Sequence, residues 1–398
     1  MTDPQRWTVR QRLLAVLQGH RPDRIPLISR LDFWYNGLRY QGRLPAGYSD
    51  LTLAEIHRRT GFGQEEWYFP CALRLRGAEL VLMHEGREIY HQTDPEVTNF
   101  PSLWGMIPSD RPGVTDIEIS TPVGKLSYRQ QLLVESLESG AWRPLTVAHP
   151  IREEEDFRTC EYVLEHSEFV PRYAGYFERD AGIGEGGFLV PMLNRTPFQC
   201  LLLDGLGEIN LFYALHDSPD RIERLLGLMD EVNCHILNSL ADFRAPYVEL
   251  CENIDVSMAN PRLFKKYLLP AYQTYAGIAH TQGKKLGAHT DGNLKGLAPL
   301  LADCGLDVCE SFTPAPLTAC TFEEAWQSWQ NGPLIWGGIP SYYLEERVSE
   351  EAFHRRVEEM LELIGTRPLI LGIADAVMPD NLIERLAWLV ARVEAHSI

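Results

Sequence analysis

Apolar runs recur along the second half of the chain, at residues 188–193, 247–252, 285–289, 306–311, 334–339 and 369–374, separated by stretches of amphipathic, helical periodicity. Runs of this length without interleaved polar residues fit strands buried on both faces, as in a parallel sheet, and their alternation with helices predicts repeated βα units. A run at 25–29 within DRIPLIS and another near 66–71 bring the number to eight. The expected fold class is therefore α/β, an eight-stranded (β/α)8 TIM barrel. An open doubly wound sheet fits the same alternation, but no GxGxxG or GxxxxGK[ST] follows the first strand, so its nucleotide-binding version loses support.

Two segments depart from that rhythm. Residues 8–19 place Val9, Leu13, Leu14 and Leu17 on one helical face, with a stop near Gly19. Between about 76 and 135, AELVLMHEGREIYHQT and DIEISTPVGKLSYRQQLL alternate apolar and polar residues around Glu85-Gly86 and Val123-Gly124. That alternation predicts an antiparallel β insertion in the N-terminal third. From 151 to 182 helical periodicity returns, behind the acidic start Glu153 to Asp156.

Length and composition narrow the picture without changing it. A chain of 398 residues, 45% of them hydrophobic, can be one barrel domain over residues 1–398 that carries an insertion. The net charge of -18 disfavours nucleic-acid backbones and anionic membranes, which need clustered Lys and Arg. Eight cysteines without a CxxC pair read as reduced thiols of a cytoplasmic protein. The charged, amphipathic N-terminus lacks the apolar core of a signal peptide, and no stretch is long enough to span a bilayer. Acidic barrels of this kind are also expected to form homodimers.

Four of the apolar runs end in a polar group: Glu252, His289, Glu310 and Asp375. Barrel enzymes build their sites at the C-terminal ends of their strands, so these four are the first candidates for chemistry. His289 is followed by Thr290, Asp291, Gly292 and Asn293, a density of polar groups that is costly at a buried strand end unless they bind something. Asp291, two residues on, shares the side of His289 in extended backbone but also suits an N-cap. Asp380 is better placed than Asp375 to cap the last helix, which frees Asp375 for function. Glu252 and Glu310 each follow a cysteine, and only one residue of each pair can face a given cavity. The glutamates are preferred, because an unpaired buried carboxylate costs more than a buried thiol. His149, outside the alternation, reads as structural.

In order along the chain, RQRLLAVLQGHRPDRIPL, MANPRLFKKYLLPAYQTY, AHTDGNLKGLAPLLADCGLDVCESFTPAPL, GGIPS and MPDNLIERL resemble the uroporphyrinogen decarboxylase superfamily. The resemblance implies a (β/α)8 barrel and one of two chemistries. Decarboxylases of the family act on a tetrapyrrole polycarboxylate of porphyrin biosynthesis without a cofactor, using an arginine loop. Arg39 and Arg43 in RYQGRLP keep that loop's R-x-x-G-R skeleton and, with Asp255, are the substrate-binding candidates. Methyltransferases of the family hold zinc through His-x-Cys and a late Cys and exchange methyl groups with a corrinoid. Here His289-Thr290-Asp291 and Asp375 stand at those positions, with aspartates in place of both cysteines. The implied metal set is thus His289, Asp291 and Asp375 for zinc or another divalent metal, with Glu252 and Glu310 as catalytic acid/base groups. No DxHxxG signature is present, so the corrinoid is expected on a separate protein. The methyltransferase branch is the first expectation, uroporphyrinogen decarboxylation the alternative, and a catalytically silent binding barrel the third.

Overall fold

A computed structural model describes residues 6–103, 106–108 and 110–396. Eight parallel strands follow one another around a barrel: β1 (Ile28–Ser29), β2 (Gly63–Tyr68), β3 (Gly187–Leu193), β4 (Tyr247–Leu250), β5 (Lys285–His289), β6 (Val308–Phe312), β7 (Leu334–Pro340) and β8 (Ile370–Ala374). A parallel bridge between Leu27 and Leu371 closes the ring, with the Leu371 amide donating to the Pro26 carbonyl at 2.9 Å. The eight apolar runs of the sequence correspond to these strands within a few residues. They were legible because strands enclosed by helices outside and side chains inside have no solvent face on which to place polar residues.

Side chains from alternate positions fill the interior. Ile28, Phe188, Val190, Met192, Tyr247, Cys251, Val308, Trp336 and Ile370 form one buried cluster, and Leu13, Val16 and Leu17 of the helix Val9–Leu17 pack into it. That helix starts in a capping box, Thr8 accepting from the Gln11 amide, and its C-cap is followed by Gly19 in the left-handed region. Arg12 on the same helix is buried and pairs with Asp23 at 2.7 Å and with Glu394 of the last helix, which ties the two chain ends together.

The antiparallel insertion is present and larger than the expected 76–135. A five-stranded sheet contains Glu79–His84, Arg87–Thr93, Gly113–Thr121, Gly124–Leu132 and Leu145–Ala148, and a three-stranded sheet contains Cys71–Leu75, Glu96–Val97 and Ser167–Pro171. Its first hairpin turns on Glu85 and Gly86, both at positive φ, the backbone that a two-residue primed turn requires. The strands at 96–97, 145–148 and 167–171 are too short to show an alternation, so the sequence pattern stops before the insertion does.

Among the described residues no helix is long and apolar enough to cross a membrane.

Candidate active site and metal centre

The site grows from the two-residue period of three adjacent strands. In β5, Leu286 and Ala288 pack outward against helices while Gly287 and His289 face the interior. A Cβ on Gly287 would lie 1.9 Å from the Tyr247 hydroxyl, so only glycine leaves room for that tyrosine inside the barrel. In β6, Cys309 packs outward and Glu310 inward, in register with His289. The ladder then breaks at Ser311, which stands at φ 57°, and the irregularity turns its hydroxyl to donate to Asp375 Oδ1 at 3.0 Å.

His289 is contacted by acids at both ring nitrogens. Nδ1 lies 2.5 Å from Glu310 Oε2, whereas Nε2 lies 3.4 Å from Asp375 Oδ1 and 3.7 Å from Asp291 Oδ2. Asp291 is held in turn by the Asn253 amide nitrogen at 2.9 Å. The ring meets the edge of Trp67 at 4.9 Å, and the guanidinium of Arg30 covers the Trp67 ring at 4.0 Å while pairing with Asp32. His289 is buried, but Asp291 and Asp375 each keep about a quarter of their side-chain surface open to solvent. A ligand therefore meets the two aspartates first.

Donor chemistry fits a divalent cation. One imidazole nitrogen and two carboxylate oxygens come within 4.8 Å of one another, and Nε2 is the ring nitrogen left over once Glu310 has taken Nδ1. Separations of 3.4 and 3.7 Å are close to the ~3.3 Å edge of a tetrahedron with metal–ligand bonds of ~2.0 Å. Three protein ligands leave a position for water or substrate, the pattern of catalytic rather than structural zinc. Glu310 on Nδ1 is the carboxylate partner that orients a metal-bound histidine.

Further acids lie deeper. Glu249 of β4 is fully buried, accepts from the Tyr247 hydroxyl, and forms a second close group with His289 and Glu310. Burial, reinforced by the charge of Glu310, holds its carboxyl well above the ordinary range. Glu65 of β2, also buried, accepts from the Trp67 indole at 3.1 Å; burial pushes it up to about 8 against the pull of Arg30. Burial pushes Glu310 up to about 7, opposed by His289. His289 is raised although burial alone would lower it, because Glu310, Asp291 and Asp375 surround it. Burial thus raises the deep carboxyls, while the three acids around His289 raise the imidazole.

Of the residues expected from the sequence, the structure brings together His289, Asp291, Glu310 and Asp375. Glu252 does not join them. The chain leaves the extended form after Leu250, the Glu252 amide donating to the Leu250 carbonyl, and Cys251 takes the interior position. Glu252 turns away and accepts from the Thr196 amide at 2.5 Å. Asp255 braces two loops, accepting from Ser257 through one oxygen and from the Asn293 amide at 2.8 Å through the other. Arg39 and Arg43 are exposed, with hydrogen bonds to Tyr35 and Gln41, and Arg43 lines an outer cleft of about 400 Å³ with Trp34, Glu345 and Asp380. Sequence reasoning missed Glu249, Glu65, Trp67 and Arg30. Glu249 was recoverable: Tyr247, Glu249 and Cys251 share a face, and a lone carboxylate within an apolar strand carries the same desolvation cost as one at its end.

None of the curated proteins matches the chain. Among solved structures, a methyltransferase from Methanosarcina mazei is 14% identical, covering 98% of this chain and 98% of that chain with a TM-score of 0.55, a likeness of fold. A protein assigned as a vitamin-B12 independent methionine synthase from Listeria monocytogenes is 15% identical over 56% of this chain and 69% of that chain, at a TM-score of 0.34 too low to carry an argument. The family model described as uroporphyrinogen decarboxylase (URO-D) matches residues 207–396. That span holds β4 to β8 and with them His289, Asp291, Glu310 and Asp375, so the similarity to that family covers the part of the chain that carries the candidate site.

Proposed function

We propose that this barrel transfers a methyl group between a methylated small molecule and a corrinoid carried by a partner protein, using a divalent ion, zinc foremost, held by His289, Asp291 and Asp375. The observation that carries the reading is the convergence of Nε2 of His289 with the two aspartates at the solvent-facing end of the barrel, backed by Glu310 on Nδ1. The fold likeness to the Methanosarcina mazei methyltransferase supports the same branch. A bound divalent ion supplies Lewis acidity toward the oxygen or sulfur of the methyl donor or acceptor, more so with oxygen ligands than with thiolates.

The chain's own residues do the rest. Glu310 fixes the tautomer of His289 by taking the Nδ1 proton as hydrogen-bond partner, and its carboxyl, pushed up to about 7, can hold a proton at neutral pH. Ser311 and Asn253 fix Asp375 and Asp291 through Oδ1 and Oδ2, the same oxygens that face Nε2 of His289, and so hold both carboxylates in place beside the ring. Trp67 walls one side of His289 and limits water there.

Decarboxylation of uroporphyrinogen needs cations for several carboxylates, and Arg39 and Arg43 are exposed and hydrogen-bonded to the neutral Tyr35 and Gln41. Two assays on zinc-loaded protein decide between the branches: methylcob(III)alamin with a thiol or phenol acceptor, followed by its absorbance, and uroporphyrinogen, followed by released carbon dioxide. Demethylation of the corrinoid that is lost in Asp375→Asn is expected. Carbon dioxide release with an unchanged corrinoid spectrum would reverse the assignment.

A further inference from the structure

We propose that Asp255 is a positioning residue of the candidate metal centre: it clasps the loop after β5 onto the loop after β4 and so presets Asp291 as a ligand before any ion arrives. This deepens the methyl-transfer reading and rests on its metal centre. Beyond β5, Thr290 is still secured to β6, its amide and its hydroxyl both donating to the Glu310 carbonyl, at 2.7 and 2.8 Å. Asp291 follows in irregular backbone, with neither strand nor helix to place it. A carboxylate on such a segment has to be ordered by contacts from elsewhere, or the binding of the ion bears the ordering cost.

Those contacts come from the loop after β4. Asn253 Nδ2 donates to Asp291 Oδ2 at 2.9 Å. Two residues further along each loop, the Asn293 amide donates to Asp255 Oδ2 at 2.8 Å, and the Val256 amide donates to the Asn293 carbonyl at 3.0 Å. Between these links the two backbones approach so closely that a Cβ on Gly292 would lie 2.4 Å from the Ile254 carbonyl oxygen and 2.8 Å from Asp255 Cβ. Asp291 is therefore held on both sides, by Thr290 tied to β6 and by Gly292 and Asn293 tied to the neighbouring loop.

The clasp needs a carboxylate. Asp255 Oδ1 accepts from the amide and the hydroxyl of Ser257, at 2.8 and 2.6 Å, which fixes the side chain within its own loop, while Oδ2 serves Asn293. Asparagine has the same shape but only one acceptor oxygen. Whichever way it turned, its NH2 group would face an N–H donor, that of Ser257 or that of Asn293, and one side of the clasp would open. Both oxygens of Asp255 are taken by these donors, so the residue acts through Gly292 and Asn293 on Asp291 and not as a ligand.

The test titrates the full chain with cobalt(II), whose visible absorption reports the geometry of its ligands. In Asp255→Asn the affinity for cobalt(II) is expected to fall ~10-fold and the visible bands to weaken. A merely structural role would instead lower the melting temperature of the metal-free variant and leave the affinity and the bands of its folded fraction as they are in the unaltered chain; that result would overturn the proposal. Hydrogen exchange of the unaltered chain decides the point without a variant, so one that fails to fold does not rescue the idea. Residues 290–297 are expected to exchange slowly already in the metal-free protein, and a segment that becomes protected only once zinc is added would overturn the clasp. Unchanged cobalt(II) binding in Asp255→Asn would count against the clasp alone, whereas an unaltered chain that takes up no cobalt(II) would overturn the clasp together with metal-dependent methyl transfer.

Discussion

Glu310 and His289 are direct partners across the ladder between β5 and β6, and their side chains meet at 2.5 Å. The same ring faces Asp375 through its other nitrogen. One cross-strand pair therefore decides which nitrogen of His289 looks toward solvent, and with it whether the two aspartates have a third ligand.

Glu310→Gln tests that dependence. The amide keeps the shape of the side chain but no longer supplies a carboxylate to Nδ1, so affinity for zinc is expected to fall by ~10- to 100-fold, while the folded barrel persists. Competition against a chromophoric chelator reads the change directly. Unaltered zinc affinity would show that Glu310 does not orient the histidine.

Glu252 gives a prediction about pH. Burial pushes its carboxyl up from the ordinary 4.5 to about 7, and its Oε2 is one of the buried oxygens without a partner among the described residues. Between those two values the folded chain keeps a proton that the unfolded chain has lost. The stabilising contribution is thus fully present below 4.5 and disappears as pH rises through about 7. Glu252→Gln, neutral at every pH, is expected to melt a few degrees above the unaltered protein at roughly pH 8.5, with the difference shrinking toward roughly pH 5.5. A difference that stays constant across that range would refute the assignment.

Gly287 is predicted to be irreplaceable for packing reasons. In Gly287→Ala the new methyl would sit 1.9 Å from the Tyr247 oxygen and 2.7 Å from its ring carbon, forcing the tyrosine off Glu249. Denaturant unfolding should show a loss of ~1–3 kcal/mol or more, only partly recovered by adding Tyr247→Phe.

Arg12 joins the first helix to the last through Asp23 and Glu394. Arg12→Met removes the buried cation but leaves two acids that keep about a quarter of their surface in water, so the expected loss is ~1–3 kcal/mol, below that for a fully buried pair. A lower midpoint that converges with the unaltered protein at acid pH, where both acids are protonated, would identify the ion pairs as the cause.

Much of this architecture was legible in residue order because parallel barrel strands are apolar without interruption, and the polar residues that end them stand out. His289, Asp291, Glu310 and Asp375 were singled out that way, and their side chains lie together in the structure. Glu252 was misleading for a local reason: the backbone turns one residue before it, so the interior position passes to Cys251. Glu249 hid inside an apolar run, visible only by counting twos from Tyr247. Arg30, Trp67 and Arg143 carry no periodic signal at all; they come from β1, β2 and the insertion, and only the closure of the barrel brings them to one ring.

The central claim is that His289, Asp291 and Asp375 hold one divalent ion. Elemental analysis of the purified chain after equilibration with zinc and removal of free metal tests it most directly. One ion per chain is expected, lost in His289→Ala and in the Asp291→Asn, Asp375→Asn double variant; a chain that retains no metal, or variants that retain as much as the unaltered protein, would contradict it.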